Sequence, residues 1–209
     1  MRTANSPGKP HLRNPMFRCM IQGSKKHDLL TRKTSKNSSS HFSKKRGYIM
    51  AKNKEPKTNA MRILDRMKIS YKTFTYECDE FTDAQHTADL IGAAHETMFK
   101  TLVTVSPEPA YYVFVIPIDS ELDLKKCAHQ AGVKSLAMIH VKDILKITGY
   151  VRGGCSPIGM KKQFKTVIDI SAEKLETFFI SGGRIGTSIE VSPTELADAI
   201  RASFAEITA

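Results

Sequence analysis

Phe99-Lys100-Thr101-Leu102-Val103-Thr104-Val105 is followed by Ser106-Pro107-Glu108-Pro109-Ala110 and then by Tyr111-Tyr112-Val113-Phe114-Val115-Ile116. Two β-branched and aromatic runs bounded by Pro and Ser read as strands, and so short a connection makes them antiparallel neighbours. Parallel strands would need a crossover of about a dozen residues or more. This pair therefore breaks the strict strand–helix alternation of a doubly wound sheet. The expectation is an α+β fold: one domain with a central mixed, largely antiparallel β-sheet flanked by helices.

On the N-terminal side, Met61, Ile63, Leu64 and Met67 recur at helical spacing, with Asn59 placed to cap that helix and an end near Lys68. Tyr71 to Tyr76 alternates aromatic and polar residues as a half-buried strand does. After the acidic stretch Glu77 to Glu80, Asp83 can cap a short helix stopped at Gly92. On the C-terminal side, Leu124, Cys127, Ala128 and Ala131 share a helical face closed by Gly132. Ser135 to Ile139 reads as a short strand, and Val141 to Ile147 as a helix stopped at Gly149. Thr166 to Ile170, Phe178 to Ser181 and Ser188 to Val191 read as strands, the last two bracketing a Gly182-Gly183 turn. Ser192-Pro193-Thr194-Glu195 has the form of a capping box, opening a helix that buries Leu196, Ala199 and Ile200.

The charge is unevenly distributed. The 209-residue chain has a net charge of +11, and residues 1–50 carry 12 Lys and Arg against one acid, Asp28. Residues 51–209 hold 20 bases and 20 acids. Two domains of the sequence follow: a basic leader at 1–50 and a folded unit at 51–209. The leader has no apolar periodicity and is expected to be disordered. It fits an organelle transit peptide, a nucleic-acid arm, or a stretch ahead of a start at Met50; it lacks the apolar region of a secretory signal. No run approaches the roughly 20 apolar residues of a membrane-spanning helix. Cys19, Cys78, Cys127 and Cys155 form no CxxC pair, so reduced thiols in a cytoplasmic protein fit better than a zinc site or a disulfide scaffold.

Three features carry possible chemistry. Lys100 interrupts an apolar run, and a strand places its ammonium opposite Phe99 and Thr101, as either a functional cation or a solvated, snorkelling one. Gly153-Gly154-Cys155-Ser156-Pro157-Ile158-Gly159 is either a tight turn or a loop whose backbone N–H groups cradle a carbonyl or phosphate. Ser181-Gly182-Gly183-Arg184 is a weaker signal of the same kind. There is no nucleophile elbow, HExxH, Walker A or GxGxxG. His86, His95, His129 and His140 are spaced as surface or packing residues rather than metal ligands.

A resemblance rests on ordered elements: Thr58 to Lys68 followed by Ile69-Ser70-Tyr71, Tyr76-Glu77, Phe99-Lys100-Thr101-Leu102, Leu122-Asp123-Leu124-Lys125-Lys126, Thr148-Gly149-Tyr150, Gly153 through Lys162, and Ile180-Ser181-Gly182-Gly183. With these, residues from about 57 to 207 resemble the YbaK family of bacterial Cys-tRNA(Pro) deacylases, related to the editing domain inserted in many bacterial prolyl-tRNA synthetases. The leader has no counterpart in it.

The resemblance implies hydrolysis of the ester joining a wrong amino acid to the terminal adenosine of tRNA(Pro), with no metal or other cofactor. It implies Lys100 as the cation at the aminoacyl end, and Gly153 and Gly154, with Ser156 and Pro157, as the loop holding the substrate carbonyl. Tyr76, Phe81 and Ser181 correspond to pocket positions. Ser188 stands where the family often has Asp, so a pocket carboxylate is missing. The partners implied are the acceptor end of tRNA(Pro) and prolyl-tRNA synthetase. Alternatives are a deacylase for Ala-tRNA(Pro) or another mischarged tRNA, and a catalytically silent tRNA- or synthetase-binding module, for which Ser188 is the argument.

A ribose ester is activated by its neighbouring hydroxyl, so positioning and oxyanion stabilisation suffice without a triad. The attacking group is then expected from the substrate, its own thiol or a ribose hydroxyl, and not from Cys155. The zero net charge of residues 51–209 leads one to expect weak tRNA binding without help from the synthetase.

Overall fold

The computed structural model describes residues 56–76 and 84–209. The leader, Phe81 and the Asp83 cap therefore lie outside the described residues. Within them the order is α1 (Asn59–Met67), β1 (Tyr71–Thr75), α2 (Ala84–Ile91), β2 (Phe99–Val105), β3 (Tyr111–Pro117), α3 (Leu124–Ala131), β4 (Ala137–Met138), α4 (Ile144–Thr148), β5 (Lys165–Asp169), β6 (Phe178–Arg184), β7 (Thr187–Val191), α5 (Pro193–Ile200) and β8 (Ser203–Ala205). The class is α+β, as the hairpin required. Four strand pairings are antiparallel and two, β3 with β5 and β5 with β8, are parallel.

The strands divide into a three-stranded sheet, β1-β7-β6, and a five-stranded one, β4-β2-β3-β5-β8, linked by a parallel bridge between Met98 and Phe179. Alternation along β3 and β5 explains how the larger sheet is buried on both faces. Val115 and Ile168 join Phe178, Ile180, Ile189, Leu64 and Leu196 in a core between the sheets, α1 and α5. Phe114, Ile116 and Val167 point the other way, onto Cys127, Ala128 and Ala131 of α3 and onto Ile207. Phe99 and Phe178 meet edge to face, with ring centroids 5.1 Å apart, where the two sheets touch, a geometry favoured by the ring quadrupoles.

Local signals mostly set the element ends. Gly132 closes α3 in the left-handed conformation, and Ser192 Oγ accepts from Glu195 N at the start of α5. Two readings need correction. The cap of α1 is Thr58, whose Oγ1 accepts from Met61 N, while Asn59 is the first helical residue and donates from Nδ2 to Gly159 O at 3.0 Å. Gly182 and Gly183 are not the turn: they lie within β6, whose ladder with β7 shifts register between Ser181 and Arg184.

A Cβ on Gly182 would sit 2.7 Å from Thr187 Cγ2, and Gly183 has φ +89°, so close approach and a bulge, rather than chain reversal, explain this pair. Thr58 Oγ1 donates to Gly182 O at 2.6 Å, fastening α1 to the bulge. On α5 the buried face is Pro193, Leu196 and Ala197, with Ala199 and Ile200 only partly covered.

Candidate active site

Among the described residues β4 pairs only with Thr104 and Val105, and no other strand lies along the outer edge of β2 over residues 99–102. Along that edge, between the two sheets, lies a cavity of about 430 Å³, within the usual range for small-ligand sites. Its wall takes Tyr76 from the end of β1, Thr87 from α2, Lys100 and Thr101 from β2, Arg152, Gly153 and Cys155 from the glycine loop, and Ser181 and Ser188 from β6 and β7. Apolar side chains from 138–144 cover one side, Met138, Val141 and Ile144 among them.

Lys100 is the second residue of β2. Its Nζ donates to Ile118 O at 2.8 Å, which fixes the ammonium at the strand edge. Burial lowers its pKa, opposed by the charges of Glu121 and Asp119. A network continues behind it: Gln85 Nε2 donates to Asp119 Oδ1, and His95 bridges Asp119 and Asp89 with both ring nitrogens at 3.2 Å. His95 is thus a half-buried surface residue whose pKa is raised, first by its hydrogen bond to Asp89.

Of the residues expected at the site, Lys100, Gly153, Tyr76, Ser181 and Ser188 come together at this cavity, and Phe81 lies outside the described residues. Tyr76 OH accepts from Thr87 Oγ1 at 3.3 Å. Ser181 Oγ accepts from Gly183 N at 3.3 Å. Ser188 is 3% exposed. Gly154, Ser156 and Pro157 are not in the wall. Ser156 is fully buried and its Oγ accepts from Ile158 N, while Pro157 borders a separate depression beside Ile63 and Met67. They support the loop from behind, and so does Tyr150, whose OH donates to Ile158 O at 2.5 Å.

Gly154 is the tightest part of that support. A Cβ there would lie 3.1 Å from Ile185 N and 3.2 Å from Arg184 Cα, both backbone atoms of the β6–β7 turn. Gly154→Ala should therefore push the loop off that turn, destabilising the protein by about 1–3 kcal/mol, in the range of overpacking. Chemical denaturation reads the loss, and unchanged stability would show that the turn yields freely.

Sequence reasoning missed Thr101 and Arg152 and left Cys155 aside. Thr101 Oγ1 is buried without a hydrogen-bond partner among the described residues; nothing local marks it, because only the missing strand beside β2 makes it part of a wall. The Cys155 thiol is pushed up to about 11 by burial, so it stays protonated at neutral pH. Among the described residues of the wall there is no His, Asp or Glu. The arrangement offers one anchored cation, hydroxyls and loop backbone to a bound acyl group, which can polarise a carbonyl and hold an oxyanion.

A family model for the aminoacyl-tRNA editing domain matches residues 78–199. The chain is 44% identical over 161 residues to the "Putative Cys-tRNA(Pro)/Cys-tRNA(Cys) deacylase EbsC" of Enterococcus faecalis (strain ATCC 700802 / V583), covering 76% of this chain and 98% of that protein. It is 30% identical over 99 residues to a proline–tRNA ligase of Fervidobacterium nodosum (strain ATCC 35602 / DSM 5306 / Rt17-B1), covering 47% of this chain and 17% of the ligase. A solved structure described as a "putative trans-editing enzyme for prolyl tRNA synthetase" shares the fold, with a TM-score of 0.60, 23% identity, and coverage of 66% of this chain and 87% of that one. By the family model and the relative matched along nearly its whole length, this chain belongs to the aminoacyl-tRNA editing domain family and is an aminoacyl-tRNA deacylase.

Proposed function

We propose that the protein edits in trans, hydrolysing cysteine from Cys-tRNA(Pro) by substrate-assisted cleavage of the ester. The observation that carries this reading is a small cavity with an anchored lysine and, among its described residues, no acid or imidazole to act as base. A site of that kind suits an ester that brings its own nucleophile. In this reading Lys100 and the backbone of Gly153 hold the carbonyl oxygen as it becomes an oxyanion, while Gly154, whose N–H is donated to Val151 O at 3.0 Å, keeps the loop in shape. Tyr76, Phe81, Ser181 and Ser188 surround the amino acid, and Ser156 and Pro157 hold the loop in place.

The substrate thiol attacks its own carbonyl carbon. A C–S bond forms, the C–O bond to the ribose breaks, and the departing ribose oxygen takes up the proton released by the thiol. Water then opens the cyclic thioester and restores free cysteine. The name of the Enterococcus faecalis relative supports the choice of amino acid. The likeness to a proline–tRNA ligase supports tRNA(Pro) as substrate and prolyl-tRNA synthetase as partner, and favours the cytoplasm as the place of work. No helix among the described residues is long and apolar enough to cross a membrane.

A panel of charged tRNAs tests the proposal. Cys-tRNA(Pro) should be deacylated fastest, ahead of Ala-tRNA(Pro), with correctly charged Pro-tRNA(Pro) spared. Faster hydrolysis of the alanyl ester would replace the substrate, and no hydrolysis of any member would leave only a binding module.

A further inference from the structure

The balanced charge of residues 51–209 conceals a strong polarity. Residues 124–168 carry nine Lys and Arg against a single acid, Asp143, while the rest of 51–209 holds 11 bases and 19 acids. Part of this stretch lies at the cavity, although Lys126 is paired with Glu206 and Lys165 donates to Gln130 O at 2.8 Å, away from it. Residues 138–144 form one of its sides, and Arg152 and Gly153 belong to its wall. Lys142, within a 3₁₀ turn at Val141–Asp143, and Lys146 on α4 are both exposed. The Lys161 ammonium is drawn to the same place, donating to Lys146 O at 3.2 Å.

A second property shares this surface. Four of the six large apolar side chains exposed among the described residues are Met138, Val141, Leu145 and Val151, at 45 to 56% exposure. Cations interleaved with exposed apolar side chains suit single-stranded nucleic acid, whose phosphates need neutralising and whose bases have flat apolar faces. An acidic protein partner would use the cations and leave the apolar positions unexplained.

We propose that this strip, with Lys142, Lys146 and Arg152 beside Val141, Leu145 and Val151, seats the single-stranded nucleotides that precede the esterified adenosine of the substrate RNA. The inference rests on the cavity being the site of ester cleavage. It also replaces the expectation of weak tRNA binding drawn from net charge, since phosphates respond to the local field rather than to the sum.

Binding of an uncharged RNA hairpin with a short single-stranded 3′ overhang, and of the same hairpin made blunt, tests it in the full chain. Lys142→Glu/Lys146→Glu should weaken binding of the overhang RNA by on the order of tenfold and reduce the magnitude of its salt slope by about 1.4, about 0.7 for each single-strand phosphate that is no longer neutralised. Binding of the blunt hairpin should be unchanged. Arg66→Glu/Lys174→Glu alters the charge equally at exposed positions outside the cavity wall, and should leave both RNAs bound as before.

Equal weakening by the two variants, equal weakening of the two RNAs, or no weakening at all would overturn the seat. Cleavage of cysteinyl adenosine, which lacks the preceding nucleotides, separates this from the proposed reaction. The Lys142→Glu/Lys146→Glu variant should cleave it at the unaltered rate. If the unaltered protein fails to cleave either this ester or charged tRNA, the reaction is wrong, while the binding comparison still decides the strip.

Discussion

Lys100→Ala should lower deacylation of Cys-tRNA(Pro) by about 10²–10³-fold, the loss typical of a single oxyanion-stabilising group, and leave the protein folded. The ammonium is held at the edge of β2 by Ile118 O, at a wall whose described residues carry no compensating acid. Its contribution grows as negative charge develops on the carbonyl oxygen, so the loss belongs in kcat rather than in KM. Stability should change little. Lys100 is partly buried at a cost, as its lowered pKa shows, and removing it relieves that desolvation while giving up one hydrogen bond, worth about 1 kcal/mol net.

Lys100→Arg should not restore the rate, because a planar guanidinium cannot take the place of Nζ at Ile118 O and, in the proposed reaction, at the substrate carbonyl as well. Single-turnover kinetics beside a melting curve gives both readouts. Near-normal turnover in a folded Lys100→Ala protein would make Lys100 a snorkelling surface cation and place the reaction elsewhere.

The second large effect is in the substrate. Cys155→Ser should keep its activity, whereas charging tRNA(Pro) with serine in place of cysteine should slow deacylation by on the order of 10²-fold or more, the difference expected between a thiol and an unactivated hydroxyl as nucleophile. Cys155 belongs to the cavity wall, but its thiol is pushed up to about 11 by burial and has no imidazole among the described residues of the wall to take its proton. A small hydroxyl in its place fills similar volume. Loss of activity in folded Cys155→Ser, or rapid stoichiometric inactivation by a reagent that labels Cys155, would transfer the nucleophile from substrate to enzyme.

The elements legible in the sequence were those written in contiguous residues. The β2–β3 hairpin announces itself through β-branched runs and two prolines, and α5 through Ser192, Pro193 and Glu195. β8 was missed because Ser203-Phe204-Ala205 is too short for any periodicity and exists only where β5 offers a parallel edge. Gly182-Gly183 was misread because turns and bulges both use glycine, and what separates them is the distant Thr187 side chain.

The residues of the candidate cavity were legible to the same degree. Lys100 and the glycine loop stood out by composition, and Tyr76, Ser181 and Ser188 through family resemblance. Thr101 and the apolar side from 138–144 join the cavity only because β4 stops short along β2, a relation between segments with no mark in either. The field around the cavity was hidden by arithmetic, since equal totals of acids and bases say nothing of where they lie.

The late strand has a consequence for biosynthesis. β8 covers the outer edge of β5, Ile207 is fully buried, and its amide and the Thr208 hydroxyl both donate to the Asp169 carboxylate. A nascent chain that has already emerged through residue 169 presents β5 with that edge unpaired and the α3 core open beside it. It stays so until residues 203–208 have followed from the ribosome. Folding of this half should therefore complete late rather than stepwise, with the waiting edge a surface that chaperones would shield.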